Sequence, residues 1–154
     1  MSVQENLKKL NITLPAVAKP AASYVPYVIV NDMLYISGQL PSENGEVKYK
    51  GFLGKDISIE QGQAAAKICA INLIAAAADA VGGDLEKIKQ VVQLQVLVAS
   101  THEFTSQHLV ANGASNLFAE VFGAKGAHTR AAYGVESIPL GASVEIMATF
   151  QIER

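Results

Sequence analysis

From Ser143 to Ile152 the chain alternates strictly in character, with Val144, Ile146, Ala148, Phe150 and Ile152 on one parity and Ser143, Glu145, Met147, Thr149 and Gln151 on the other. Successive side chains of a strand point to opposite faces, so this run reads as a β-strand with one face committed to a core. The same period of two recurs from Val91 to Val98, where Val92, Leu94, Val96 and Val98 form one set and Val91, Gln93, Gln95 and Leu97 the other. In both runs the second face is neither oily nor charged. A solvated sheet face usually carries lysine and glutamate, so a mixture of Gln, Thr, Met, Leu and Val points to a semi-polar surface that meets another subunit. Charged residues make up 17% of the chain, below the usual fraction of about 25%, which agrees with part of the surface being covered by copies of itself.

Two helices flank the first of these strands. Ser58 followed by Gln61 is a capping-box signature, and an alanine-rich helix runs from there to about Val81, where Gly82-Gly83 stops it. Apolar residues cover most of its circumference, so it packs against protein on more than one side. Cys69 falls inside that run and reads as a small buried hydrophobe. A second helix is expected from Phe104 to about Phe122, ended by Gly123. Tyr27–Val30 and Met33–Ser37 read as a hairpin around Asn31-Asp32, and Gly38 to Asp56 as an exposed, mobile loop turning at Glu43-Asn44-Gly45-Glu46. Leu7 and Leu10 are spaced as one face of a short helix, after which Asn11, Pro15 and Pro20 force an extended stretch. Residues 1–20 therefore look like an N-terminal arm on a single domain of residues 1–154. The order of elements suits an α+β fold, a single mixed or antiparallel sheet with two helices packed on one face.

Charge and cysteine content narrow the function classes. A formal net charge of −2 provides no field to draw the chain onto nucleic acid or anionic lipid. The single cysteine cannot form an intrachain disulfide, the first residues lack a secretory pattern, and Ala64 to Ala78 is too short and too interrupted to span a bilayer. A cytoplasmic protein is expected. No phosphate loop, nucleophile elbow or CxxC pair is present, and His102 and His108 have no partners at metal-ligand spacing, so no metal is expected.

Arg130 stands out by its surroundings. It lies among small residues, between Gly123–Thr129 and Ala131–Val135, near the start of a predicted strand. A planar guanidinium with small neighbours can meet a carboxylate through two parallel hydrogen bonds, although an ordinary surface or interface arginine fits the same spacing. Glu145 sits on the semi-polar parity of the last strand. Burial would raise its pKa and fit it for general acid or base work, whereas a nearby cation would lower the pKa and make it a structural partner. His128, in a glycine-bearing loop, reads as solvated rather than catalytic.

These residues, in order, resemble a known family. Ser37-Gly38-Gln39-Leu40-Pro41 after the hairpin, the long helix after Ser58, Asn112 in the second helix, Arg130, Ile138-Pro139-Leu140 and Val144-Glu145-Ile146 together resemble the reactive-intermediate deaminase family (Rid, or YjgF), which has also been labelled endoribonuclease. The resemblance implies a chorismate-mutase-like fold, a homotrimer with sites in clefts between subunits, and cofactor-independent hydrolysis of enamine or imine intermediates to 2-keto acids and ammonia. By position, Arg130 would clamp the substrate carboxylate and Glu145 would position or activate water, with Tyr24, Asn112 and the Gly38 backbone lining the pocket. The chain departs from the pattern at Ala132, where well-known deaminase members carry cysteine, and at His128, where they tend to have proline. Those departures keep open a trimer that binds small carboxylate metabolites without turnover. Endoribonuclease activity is a weaker reading, because no basic stripe or catalytic histidine pair is present.

Overall fold

A computed structural model describes residues 1–17 and 23–154; Pro20 of the expected arm lies outside the described residues. Its frame is a five-stranded sheet of order β1-β2-β7-β5-β6, formed by β1 (Tyr27–Val30), β2 (Met33–Gln39), β5 (Ile88–Ala99), β6 (Thr129–Val135) and β7 (Val144–Ile152). Every neighbouring pair is antiparallel except β5 and β6, which run parallel. Two long helices, α2 (Ile59–Ala80) and α3 (Gln107–Phe122), lie against one face. The expected α+β architecture with a mixed sheet is present, and a short third helix, α1 (Val3–Lys9), joins the same layer through α3.

Local chemistry explains these boundaries. Asn31 takes the left-handed conformation, φ 55°, that the hairpin turn requires and that asparagine tolerates. The capping box of α2 forms completely: Gln61 N–H donates to Ser58 Oγ at 3.1 Å while Ser58 N–H donates to Gln61 Oε1 at 2.9 Å. α2 alone among the described helices is long and apolar enough to cross a membrane, yet ten of its residues are buried in this core, Cys69 among them. The Cys69 thiol donates weakly to the Val144 carbonyl at 3.8 Å, and burial holds its pKa well above the ordinary thiol value.

Four expectations are corrected. Val91 is fully buried and Val92 only partly, the reverse of the simple alternation, because a register shift against β7 between Val91 and Gln93 inserts a residue and flips parity. The stretch after Ser37 is not wholly loop: β2 continues through Gln39, and β3 (Ser42–Glu43) pairs with β4 (Glu46–Val47) around Asn44 and Gly45, both at positive φ. α3 starts at Gln107 rather than Phe104, since Phe104 belongs to a turn in which its N–H donates to the Thr101 carbonyl. The N-terminal segment does not project as an arm over its first ten residues: Val3 and Leu7 are buried, Asn6 Nδ2 donates to the Val121 carbonyl, and Val3 N–H donates to Glu86.

The two long helices touch where side chains vanish. A Cβ added to Gly113 would lie 2.1 Å from the Gln63 carbonyl oxygen, so the α3 backbone rests directly on α2. Backbone cannot step aside as a flexible side chain can. Gly113→Ala is therefore expected to cost at least about 2 kcal/mol of stability, the range of an overpacked core. A chemical denaturation midpoint equal to that of the unmodified chain would refute this account of the helix contact.

Candidate active site

β6 is an edge strand, and its alternation decides what Arg130 can reach. Arg130 pairs in register with Leu94, which is fully buried under the helices, so Arg130 rises on the helix-covered face. There it meets α3. Its Nη1 donates to Asn112 Oδ1 at 2.8 Å and to Ser115 Oγ at 3.0 Å, and its Nη2 donates to the His108 carbonyl at 3.0 Å. His108, Asn112 and Ser115 stand at i, i+4 and i+7, one face of the helix. A guanidinium has five N–H donors. These three bonds leave the Nε–H and one Nη2–H without a partner among the described residues.

The electrostatics are unusual for a half-buried cation. All three acceptors are neutral, and the ion pair found among the described residues, Lys48 with Glu46, is elsewhere. Asn112 must turn its carbonyl oxygen to Arg130, which directs its amide Nδ2 away, and that group makes no hydrogen bond among the described residues. Arg130, Ala132 and Gly134 follow one another on the same face, and Gly134, though neither of the other two, borders a cleft of about 440 Å³ that also takes in Ser100, His102 and Gln107.

Glu145 lies on the other side of the sheet. Its neighbours Val144 and Ile146 are fully buried under the helices, while Glu145 pairs with Leu97, whose own partner on β6 is the exposed Tyr133. The carboxylate makes no hydrogen bond among the described residues, and burial raises its pKa from the ordinary value of 4.5. Gly38 sits against it: a Cβ there would lie 2.5 Å from Glu145 Oε2, because a register shift between Ile36 and Gln39 brings the β2 backbone close. Tyr24 is 57% exposed and borders a shallow hollow of about 360 Å³ with Tyr35, Ser37 and Met147 on this same face.

The five residues singled out from sequence thus form two groups, Arg130 with Asn112 and Glu145 with Gly38 and Tyr24, separated within one chain by the sheet itself. Sequence reasoning missed Ser115, although its spacing from His108 and Asn112 was a usable signal. It also misjudged His128. That ring is tied down, with Nδ1 2.6 Å from the Gly126 carbonyl, Nε2 2.8 Å from Ser115 Oγ, and its edge toward Phe118. His108 takes part through its backbone, and no group of three His, Cys, Asp or Glu side chains clusters among the described residues.

Comparison with known proteins identifies the family and the fold. Residues 5–151 match a family described as YjgF/chorismate-mutase-like, a description that adds an unconfirmed endoribonuclease activity. The chain is 44% identical to Protein TCP17 of Trypanosoma cruzi over 151 residues, covering 97% of this chain and 94% of that one. It is 47% identical to the crystal structure of Atu1372 from Agrobacterium tumefaciens, a protein of unknown function, with a TM-score of 0.93 over 98% of this chain and 92% of that one. A more distant structure, TdcF of Escherichia coli with bound serine, shares the fold at 20% identity and a TM-score of 0.64, covering 92% and 96% of the two chains.

The raised pKa of Glu145 carries a testable sign. A carboxyl that folding makes a weaker acid is favoured when protonated, so its contribution is fully present below the unfolded value near 4.5 and is lost as pH rises through the higher folded value. Glu145→Gln is expected to raise the melting temperature at pH 7, and the gain should vanish in buffers below the ordinary carboxyl value. Equal melting temperatures for the two proteins at pH 7 would show that the carboxylate is not desolvated.

Proposed function

Since the chain belongs to the YjgF/chorismate-mutase-like family, we propose that it hydrolyses small enamine or imine intermediates to 2-keto acids and ammonia, in the cytoplasm, at a site shared by two copies of itself. The observation that carries this reading is Arg130: a half-buried cation held by three neutral acceptors, with two N–H donors left for an anion. A carboxylate fits that set, since it accepts two parallel N–H bonds from one guanidinium.

The faces of the sheet argue for two chains. Arg130 and Glu145 cannot approach one another inside one subunit, so a site that uses both draws Arg130 and Asn112 from one copy and Glu145, Gly38 and Tyr24 from another. Tyr35, Tyr133 and Met147, all more than 35% exposed, give the Glu145 face an apolar character suited to such contact. A homotrimer closes the arrangement by repeating one heterologous contact around a threefold axis.

The chemistry asked of these groups is modest. An imine carbon is already electrophilic. Glu145, its pKa raised by burial, donates a proton to the imine nitrogen as water oxygen bonds to carbon and the C=N electron pair moves to nitrogen. The carboxylate so formed takes back a proton from the added water; the same carboxyl then protonates the carbinolamine nitrogen, and as the C–N bond breaks to release ammonia the hydroxyl proton returns to Glu145 and C=O forms. An enamine first takes a proton at carbon to reach the same imine. Orientation by the clamp with one placed proton donor supplies about 10²–10⁴-fold from the proton transfer alone. No activated nucleophile is needed, so Ala132 is compatible with turnover.

An amino-acid oxidase supplies imino acid in the test, and semicarbazide traps what remains. The protein is expected to lower the trapped imine, and Arg130→Ala and Glu145→Gln each to lose at least about 10²-fold in rate. Reassembling those two inactive variants together from denaturant in equal amounts should restore about a quarter of the activity, because a site between subunits then has two one-in-two chances of being intact. No recovery on mixing would place the site within one subunit, and no loss of imine with the unmodified protein would leave a binding protein rather than an enzyme.

A further inference from the structure

The clamp has a second layer. Arg130 Nη1 donates to Ser115 Oγ at 3.0 Å, Ser115 Oγ lies 2.8 Å from His128 Nε2, and His128 Nδ1 lies 2.6 Å from the Gly126 carbonyl. A carbonyl only accepts, so Nδ1 carries a proton; Ser115 Oγ already accepts from Arg130, which leaves its own hydrogen for Nε2 as the acceptor. The one Ser115 hydroxyl hydrogen then goes to Nε2. Ser115 is thereby left with lone pairs alone to offer Arg130, and every hydrogen in the chain points from arginine toward Gly126.

We propose that His128 is a positioning residue for the anion clamp, acting through Ser115 to hold the Arg130 fork with its unbonded N–H edge turned toward the ligand. This rests on the reading of Arg130 as a carboxylate grip. Without an acceptor at Nε2, the Ser115 hydroxyl is free to rotate and to present its hydrogen to the guanidinium, which has no use for a donor. The guanidinium then keeps Asn112 and the His108 carbonyl but loses the bond that fixes its rotation about the remaining contacts.

His128 is itself well held for this task. Its ring centroid is 5.9 Å from that of Phe118, edge to face, and Phe118 is fully buried. Gly126 allows the approach: a Cβ there would lie 2.3 Å from the Phe118 carbonyl oxygen, so only glycine lets the loop before β6 seat against α3. The histidine is thus a rigid acceptor whose position is set by core packing, a more precise anchor than a solvated side chain would provide.

Calorimetry with 2-oxobutyrate on the full-length assembly, together with NMR of the Arg130 Nε–H signal, tests the proposal. Ser115→Ala and His128→Leu are each expected to weaken binding about fivefold, the worth of one hydrogen bond. The double variant should be no weaker than Ser115→Ala, since both remove one path. His128→Gln, whose side-chain carbonyl can stand in for Nε2, should bind within about twofold of the unmodified protein. Unchanged affinity in His128→Leu, or losses that add in the double variant, would overturn the proposal. Arg130→Ala separates the two claims: if it still binds 2-oxobutyrate with full affinity, the clamp reading falls. The Nε–H signal decides positioning in either case, with movement expected in Ser115→Ala and His128→Leu, recovery in His128→Gln, and a signal that stays in place in all three counting against His128.

Discussion

The pairing of β5 with β7 at the centre of the sheet is the constraint from which the rest follows. Period-two alternation assigns each side chain in the middle of the sheet to one of two faces, and the helices claim one of them completely. Leu94, Val96, Ile146 and Ala148 are core because α2 and α3 cover them, and Gln95, Leu97, Glu145 and Met147 are not. A one-residue slip would exchange the sets and bury Glu145 against α2. The two register shifts, between Ile88 and Gln90 and between Val91 and Gln93, show how closely this parity is kept, since each absorbs one extra residue so that Ile88, Val91 and Leu94 all present apolar side chains to the helices.

Some of this was legible in the sequence because it is local. The Ser58 capping box, the Gly82-Gly83 stop, the Asn31 turn and the alternation of β7 depend on residues a few positions apart, and each element formed about where those signals put it. What failed depends on neighbours in space. The Val91 shift exists only relative to β7, and the β3–β4 ribbon is too short to display a period. The docking of α1 needs Glu86 and Val121, far away in the chain. The site divides in the same way. Arg130 was visible through its small neighbours, but that its partners would be Asn112, Ser115 and a backbone carbonyl follows from packing β6 against α3. Which face each candidate occupies required the register, and so the separation of Arg130 from Glu145 could not be read from a spacing of fifteen residues.

That separation leaves each group with the property the proposed roles would require. Were Arg130 and Glu145 neighbours in one chain, they would form a salt bridge: the carboxylate pKa would fall below its ordinary value, and the guanidinium edge would be filled by protein. Kept on opposite faces, Glu145 remains a weak acid through burial, and Arg130 keeps two N–H donors. Each half-buried charge lacks a countercharge, which a monomer carries as a modest cost.

Assembly would change the balance of those costs without requiring the charges to meet. On the proposed reading, a carboxylate ligand on the Arg130 fork would supply the missing negative charge on one side, with its reacting carbon offered to a carboxyl from the other copy. On the proposed reaction, binding energy gained at the carboxylate would be realised in ground and transition states alike, whereas a proton from Glu145 would be needed only as nitrogen develops negative charge and so would lower the barrier rather than tighten the complex. The neutral hydrogen-bond chain behind Arg130 fits this division of labour. An acidic partner in place of Ser115 would hold the guanidinium more tightly, but it would neutralise the charge that attracts the ligand. A hydroxyl backed by an imidazole fixes direction while leaving the positive charge for the substrate.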